Sequence, residues 1–158
     1  AINVSQAQFS HPLFMQTLHK ALQDTSAPPQ FVELEITESM AMKDPDLLIK
    51  TLHQIKQLGV SVSIDDFGTG FSSLSHLQKL DVDKLKIDRA FVNDIQQNGS
   101  EGSIAKMIVQ LGQNLGLSVI AEGVETREQL RFLRDHGLGH SGVGPSRGLD
   151  RQGCTRGE

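Results

Sequence analysis

Asp65 and Asp66 stand side by side at the end of a β-branched run, residues 60–64, and lead into Phe67-Gly68-Thr69-Gly70. Two adjacent carboxylates repel, and keeping both ionised beside further acids requires a cation. Oxygen donors select hard ions such as Mg²⁺ or Mn²⁺. A plainer account of that pair alone is an Asp-Asp turn with a helix-capping duty. Other acids recur at matching places, however: Glu35, Glu38, Asp88 and Glu122 each fall at the end of a strand-like run. The cluster is more informative than its members. Lys84, Lys86 and Asp88 share one face of a four-residue run. A cation there orients a phosphate or a nucleophilic water, or it neutralises the acids around it.

These residues need strands to carry them, and the patterning supplies five. Residues 1–4, 31–36, 60–64, 84–87 and 117–121 are short apolar or β-branched runs. In 31–36, Phe31, Glu33 and Glu35 fall on one face and Val32, Leu34 and Ile36 on the other. Helix-period segments lie between the strands. Ser10 with Pro12 behind it starts one that shows Phe14, Leu18 and Leu22 as a stripe. Asp44-Pro45 starts a second, with Leu48, Leu52 and Ile55 at helical spacing and Gly59 as its left-handed cap. A short helix is expected over 72–79. Ile104, Met107, Ile108, Leu111 and Leu115 mark a further helix, and Thr126 with Gln129 forms a capping box for a last one through Arg134. Strands alternating with helices mean βαβ units and a parallel sheet. Carboxylates at carboxyl ends of such strands are where a (β/α)₈ barrel, or an open doubly wound sheet, builds its site.

The 158 residues carry 15 Lys plus Arg against 19 Asp plus Glu, a net charge of −4. No basic excess is available to hold a nucleic-acid polymer or an anionic membrane. No apolar run is long enough to cross a bilayer, no signal peptide opens the chain, and a cytoplasmic location is expected. The single cysteine, Cys154, excludes an internal disulfide and a Cys-based zinc site. The six histidines read as surface residues. Asp66-Phe67-Gly68 matches the metal-binding tripeptide of protein kinases, but no Gly-rich loop or His-Arg-Asp segment accompanies it. Residues 137–158 hold seven of the 15 glycines and four hydrophobic residues. Such a tail buries too little to offset its ordering entropy and is expected to be disordered.

Four segments together resemble the signatures of the EAL domain family: Glu33-Leu34-Glu35-Ile36-Thr37-Glu38-Ser39, the stretch from Ile64 to Leu74, Leu85-Lys86-Ile87-Asp88-Arg89-Ala90-Phe91-Val92, and Ala121-Glu122-Gly123-Val124-Glu125-Thr126. Asn3-Val4-Ser5 is similar to a fifth. The resemblance implies a phosphodiesterase that opens cyclic di-GMP to linear pGpG with Mg²⁺ or Mn²⁺ at a two-metal site. It implies an α/β fold: a partial TIM-type (β/α)₈ barrel that lacks its first strands and its last. By the same resemblance Asn3, Glu35 and Asp65 are metal ligands, and Asp66 contributes to the second ion. Lys86 contacts the attacking water, and Glu122 is a further metal or water-activating carboxylate. Glu125 assists near the substrate, and Glu38 pins the 65–74 loop. A homodimer and an upstream sensory or cyclase domain follow as expected partners.

The chain also departs from that family. The Glu-Ala-Leu segment, whose Glu is a metal ligand, is not in it. Beyond Gly137 no Gln-Gly-Tyr segment follows, and Gly142 stands where the active-site Gln is expected. The domain is therefore expected over 1–137, with 138–158 a disordered or frameshifted tail. An incomplete set of parts that act as a unit implies weak or no activity. The alternative is a non-catalytic cyclic di-GMP-binding or protein-interaction regulatory domain.

Overall fold

The computed structural model describes residues 1–43, 45–69, 74–95 and 104–139. They form two compact units, Ala1–Leu85 and a second that begins at Lys86.

In the first unit, β1 (Ile2–Asn3), β2 (Glu33–Thr37) and β3 (Ser61–Phe67) form a parallel ladder. Asn3 lies opposite Glu35, Glu33 opposite Ser61, and Thr37 opposite Asp65. Parallel strands need long crossovers. Helices α1 (Gln6–Phe9), α2 (Phe14–Thr25), α3 (Glu38–Lys43) and α4 (Pro45–Gln57) lie in them, and α5 (Leu74–Leu77) follows β3. The period-two pattern sorts the faces. Leu34, Ile36, Val62 and Ile64 are buried, while Glu33, Glu35, Ser61 and Asp65 occupy the other face. α4 packs on β3, with Leu48, Leu52 and Ile55 buried. Each such side chain contributes roughly 1.5–3 kcal/mol. Gly59, at φ +82°, ends α4 in the left-handed conformation its position requires. α2 buries no residue fully. Its Phe14 and Leu18 line a cavity of about 450 Å³ with Ile2, Val4 and Leu34.

The first unit corrects three sequence expectations. Ser10 does not cap α2; it ends α1, donating its N–H to the Gln6 carbonyl at 2.9 Å. A Ser5–Gln8 capping box has already started α1, and the αR backbone of Ser10 is not the extended one that an N-cap needs. Phe31 is not in a strand. Pro29–Phe31 is a 3-10 turn started by Pro29, in which the Phe31 N–H donates to the Pro28 carbonyl at 3.0 Å, and Phe31 is 82% exposed. β3 also runs through both aspartates to Phe67, further than the β-branched run itself. Of the helix expected over 72–79, α5 is described; 72 and 73 lie outside the described residues.

β4 (Lys84–Ile87) begins in the first unit and ends in the second. The second unit adds α6 (Arg89–Asp94), α7 (Ile104–Asn114), β5 (Ser118–Ala121) and α8 (Arg127–Asp135). Beside β4, the Glu122 N–H donates to the Ile87 carbonyl at 3.2 Å. Ile87, Val92, Val109, Val124 and Leu133 are buried together with Ala105 and Ala121. α8 opens on the capping box read from the sequence: Thr126 Oγ1 accepts the Gln129 N–H, and Gln129 Oε1 accepts the Thr126 N–H. Leu138 is buried and donates its N–H to the Leu133 carbonyl at 2.9 Å. Residues 140–158, most of the expected tail, lie outside the described residues. His136 is half-buried rather than a free surface residue; its ring packs on Phe132 and its Nδ1 lies 2.8 Å from the Phe132 carbonyl.

Candidate functional site

Each unit holds some of the candidate residues. In the first, the ladder register sets Asn3 beside Glu35 on neighbouring strands, which are roughly 4.8 Å apart in any sheet. Glu35 is buried and Asn3 is exposed. Asp65 and Asp66 lie just before the last residue of β3, and Asp66 holds φ +53°, a left-handed conformation unusual for a residue with a side chain. Two local bonds hold that turn. The Asp66 N–H donates to Asp65 Oδ1 at 3.0 Å, and Thr69 Oγ1 donates to the Asp66 carbonyl at 2.8 Å. Strained backbone of this kind is concentrated at functional sites. Glu38, 3% exposed, accepts the Gly68 N–H at 2.8 Å on Oε2 and so ties the start of α3 to the loop after β3.

Glu33 lies on the Glu35 face and pairs with Lys84 at 2.5 Å. Burial pushes its carboxyl up, but the Lys84 hydrogen bond and charge outweigh this and hold it below the usual carboxylate range. Asn3, Glu35 and Asp65 offer the oxygen donors a hard divalent cation prefers. Among the described residues, no three His, Cys, Asp or Glu side chains form a ready-made ion pocket.

In the second unit, Lys86 is buried, and its Nζ lies 2.7 Å from Glu122 Oε1 at the end of β5. Glu122 is the more exposed partner, at 41%. Asp88 shares the Lys86 face in the sequence, yet its side chain caps α6 by accepting the Ala90 N–H at 2.6 Å. Glu125 is exposed and takes an ion pair from Arg89 at 2.5 Å. Arg89 was not singled out from the sequence, and its partner is 36 residues away. Gln129 was read only as a cap. It is 2% exposed and also accepts the Glu125 N–H at 2.8 Å and donates to the Val92 carbonyl at 3.3 Å.

The chain matches the family model described as "EAL domain" over residues 1–140. It is 44% identical over 133 residues to the bifunctional diguanylate cyclase/cyclic di-GMP phosphodiesterase MucR of Pseudomonas aeruginosa, covering 84% of this chain and 19% of that protein. Superposition on the structure of the MucR phosphodiesterase in complex with cyclic di-GMP gives a TM-score of 0.81 at 43% identity. That match covers 86% of this chain and 55% of the other. A Klebsiella pneumoniae BlrP1 structure with manganese and cyclic di-GMP gives 0.75 at 34% identity, covering 87% and 35%. These likenesses identify the α/β fold as a partial (β/α)₈ barrel. The chain spans about a fifth of the length of the curated relatives it matches. No helix among the described residues is long and apolar enough to cross a membrane.

Proposed function

Because the chain belongs to the EAL domain family, we propose that it carries part of the machinery of a cyclic di-GMP phosphodiesterase. The observation that carries this is the buried Lys86 ammonium 2.7 Å from the half-exposed Glu122 carboxylate. A cation and a carboxylate in contact at strand ends can orient a water and take its proton. In the reaction, the water oxygen forms a bond to phosphorus, one P–O bond to a ribose 3′ oxygen breaks, and that oxygen takes a proton from solvent to leave as a hydroxyl. The ring opens to linear pGpG. Lys86 orients the water and the phosphate oxygens, and Glu122 accepts the proton. Asn3, Glu35 and Asp65 would hold a divalent ion, Mg²⁺ or Mn²⁺, with Asp66 toward a second. When bound, such ions lower the pKa of water and neutralise phosphate charge. They would also let a protein of net charge −4 hold an anionic dinucleotide. Glu38 fixes the loop that follows Asp66, and Glu125, in the turn after β5, would assist near the substrate. The messenger acts inside the cell, which puts the reaction in the cytoplasm. A homodimer and a fused cyclase or sensory domain are further parts of the proposal, and the bifunctional name of MucR supports the second.

Cyclic di-GMP hydrolysis with Mn²⁺ or Mg²⁺, read as pGpG by chromatography, tests this. Lys86→Met and Glu122→Gln should each lower the rate by about 10²–10⁴-fold, and Asp65→Ala should abolish metal-dependent turnover. Metal-independent binding of the dinucleotide without turnover would instead identify a regulatory receptor.

A further inference from the structure

We propose that Arg89 is a positioning residue that sets the 122–126 turn and, through it, the contact between Glu122 and Lys86. Its importance for turnover rests on the phosphodiesterase proposal; its hold on the turn does not. Arg89 is the first residue of α6, where the Asp88 cap fixes the helix start. Its methylenes run across Gly123. A Cβ on Gly123 would meet Arg89 Cγ at 2.5 Å and Cδ at 2.8 Å, and Gly123 also holds φ +68°. Glycine is thus required here twice over, once for the backbone and once for the approach of Arg89. The guanidinium continues to Glu125, with Nη2 2.5 Å from Oε1.

One side chain therefore touches the turn at two points, immediately after Glu122. From beneath, buried Gln129 accepts the Glu125 and Thr126 N–H groups at 2.8 and 3.0 Å and donates to Val92 of the same helix. α6 thereby holds the turn through Arg89 directly and through Val92 by way of Gln129, and β4 with Lys86 leads directly into that helix. Arg89 and Glu125 are 61% and 48% exposed, so their ion pair adds little to global stability. A residue of this kind affects placement rather than folding.

Arg89→Ala and Arg89→Lys decide the matter through two readouts on the full chain. In Arg89→Ala, amide exchange at Glu122 and Glu125 should rise at least about fivefold, with α7 amides unchanged. The kcat for cyclic di-GMP should fall at least about tenfold, with KM within about twofold. Lysine, which keeps the stem and the charge, should restore both to within about threefold. Unchanged exchange overturns the inference, whatever the rate does, and so does faster exchange with unchanged kcat. A wild-type chain that binds cyclic di-GMP without turnover supports the regulatory-receptor reading over the phosphodiesterase proposal instead. The exchange rates then decide alone whether Arg89 holds the turn.

Discussion

Glu38 joins the end of β2 to the loop that follows β3, and its removal has a calculable cost. The side chain is 3% exposed and accepts the Gly68 N–H at 2.8 Å. A hydrogen bond to a charged group contributes about 1.5–3 kcal/mol, and the buried methylene lost with the carboxyl adds about 0.8 kcal/mol. Glu38→Ala should therefore lose about 2–4 kcal/mol, a large share of the roughly 5–15 kcal/mol that holds a domain together. Glu38→Gln keeps an oxygen acceptor of the same reach and gives up only the charge, so about 1 kcal/mol is expected. Urea denaturation of the three proteins reads this directly, as a lowered midpoint at constant slope. If both variants fall within about 0.5 kcal/mol of wild type, the bond does not hold the loop. If glutamine costs as much as alanine, the charge matters and the hydrogen bond does not. Where both variants are fully folded, Glu38→Ala should still hydrolyse cyclic di-GMP at least tenfold more slowly, because Asp66 stands two residues before the released Gly68.

Three further outcomes are expected from burial, backbone and charge. Leu52→Ala, at a fully buried position on α4, should cost about 2–5 kcal/mol in thermal denaturation, since the strand–helix layer around it cannot close the cavity. Asp66→Val should be about 1–2 kcal/mol less stable than Asp66→Asn, because a β-branched residue tolerates φ +53° poorly; equal melting temperatures would remove the strain. The Glu33 carboxyl is held below its ordinary value of 4.5, so its stabilisation is complete above that pH and is lost as pH falls through the folded value. Lys84→Met should accordingly weaken the protein at neutral pH, with the gap to wild type shrinking on acidification below about pH 4.5. A gap that widens in acid would contradict the assignment.

The strands at Lys84–Ile87 and Ser118–Ala121 and the helices α4, α7 and α8 were legible because they rest on local signals. Those signals are β-branched runs, apolar spacing, Gly59 as a stop and the Thr126–Gln129 box. α1 carried the same box in Ser5 and Gln8, but four residues give no apolar stripe to draw attention to it. Phe31 was misplaced because alternation was carried back to residue 31, which the 3-10 turn begun at Pro29 still holds. The candidate site was legible as residue types at strand ends. The partners were not: Glu38 with Gly68, Lys86 with Glu122 and Arg89 with Glu125 are 30 or more residues apart. Such pairings depend on register and helix placement, which periodicity does not encode. Asp88 shows the cost of this, since its face matched that of Lys86 while its side chain was committed to the α6 cap.

In the first unit, each strand of the ladder pairs with the strand that precedes it in the chain. Ile2 faces Leu34 and Glu33 faces Ser61, separations of about thirty residues in both cases. Every new strand thus finds a partner already synthesised, and no early strand waits for a distant late one. On a ribosome that releases the chain from its amino end, this part of the sheet can extend one crossover at a time. Loop-closure entropy is then met in moderate instalments. Permuting the unit so that β1 is synthesised last would keep every native contact but remove that order. Refolding from denaturant would change little, while the soluble yield during synthesis would drop.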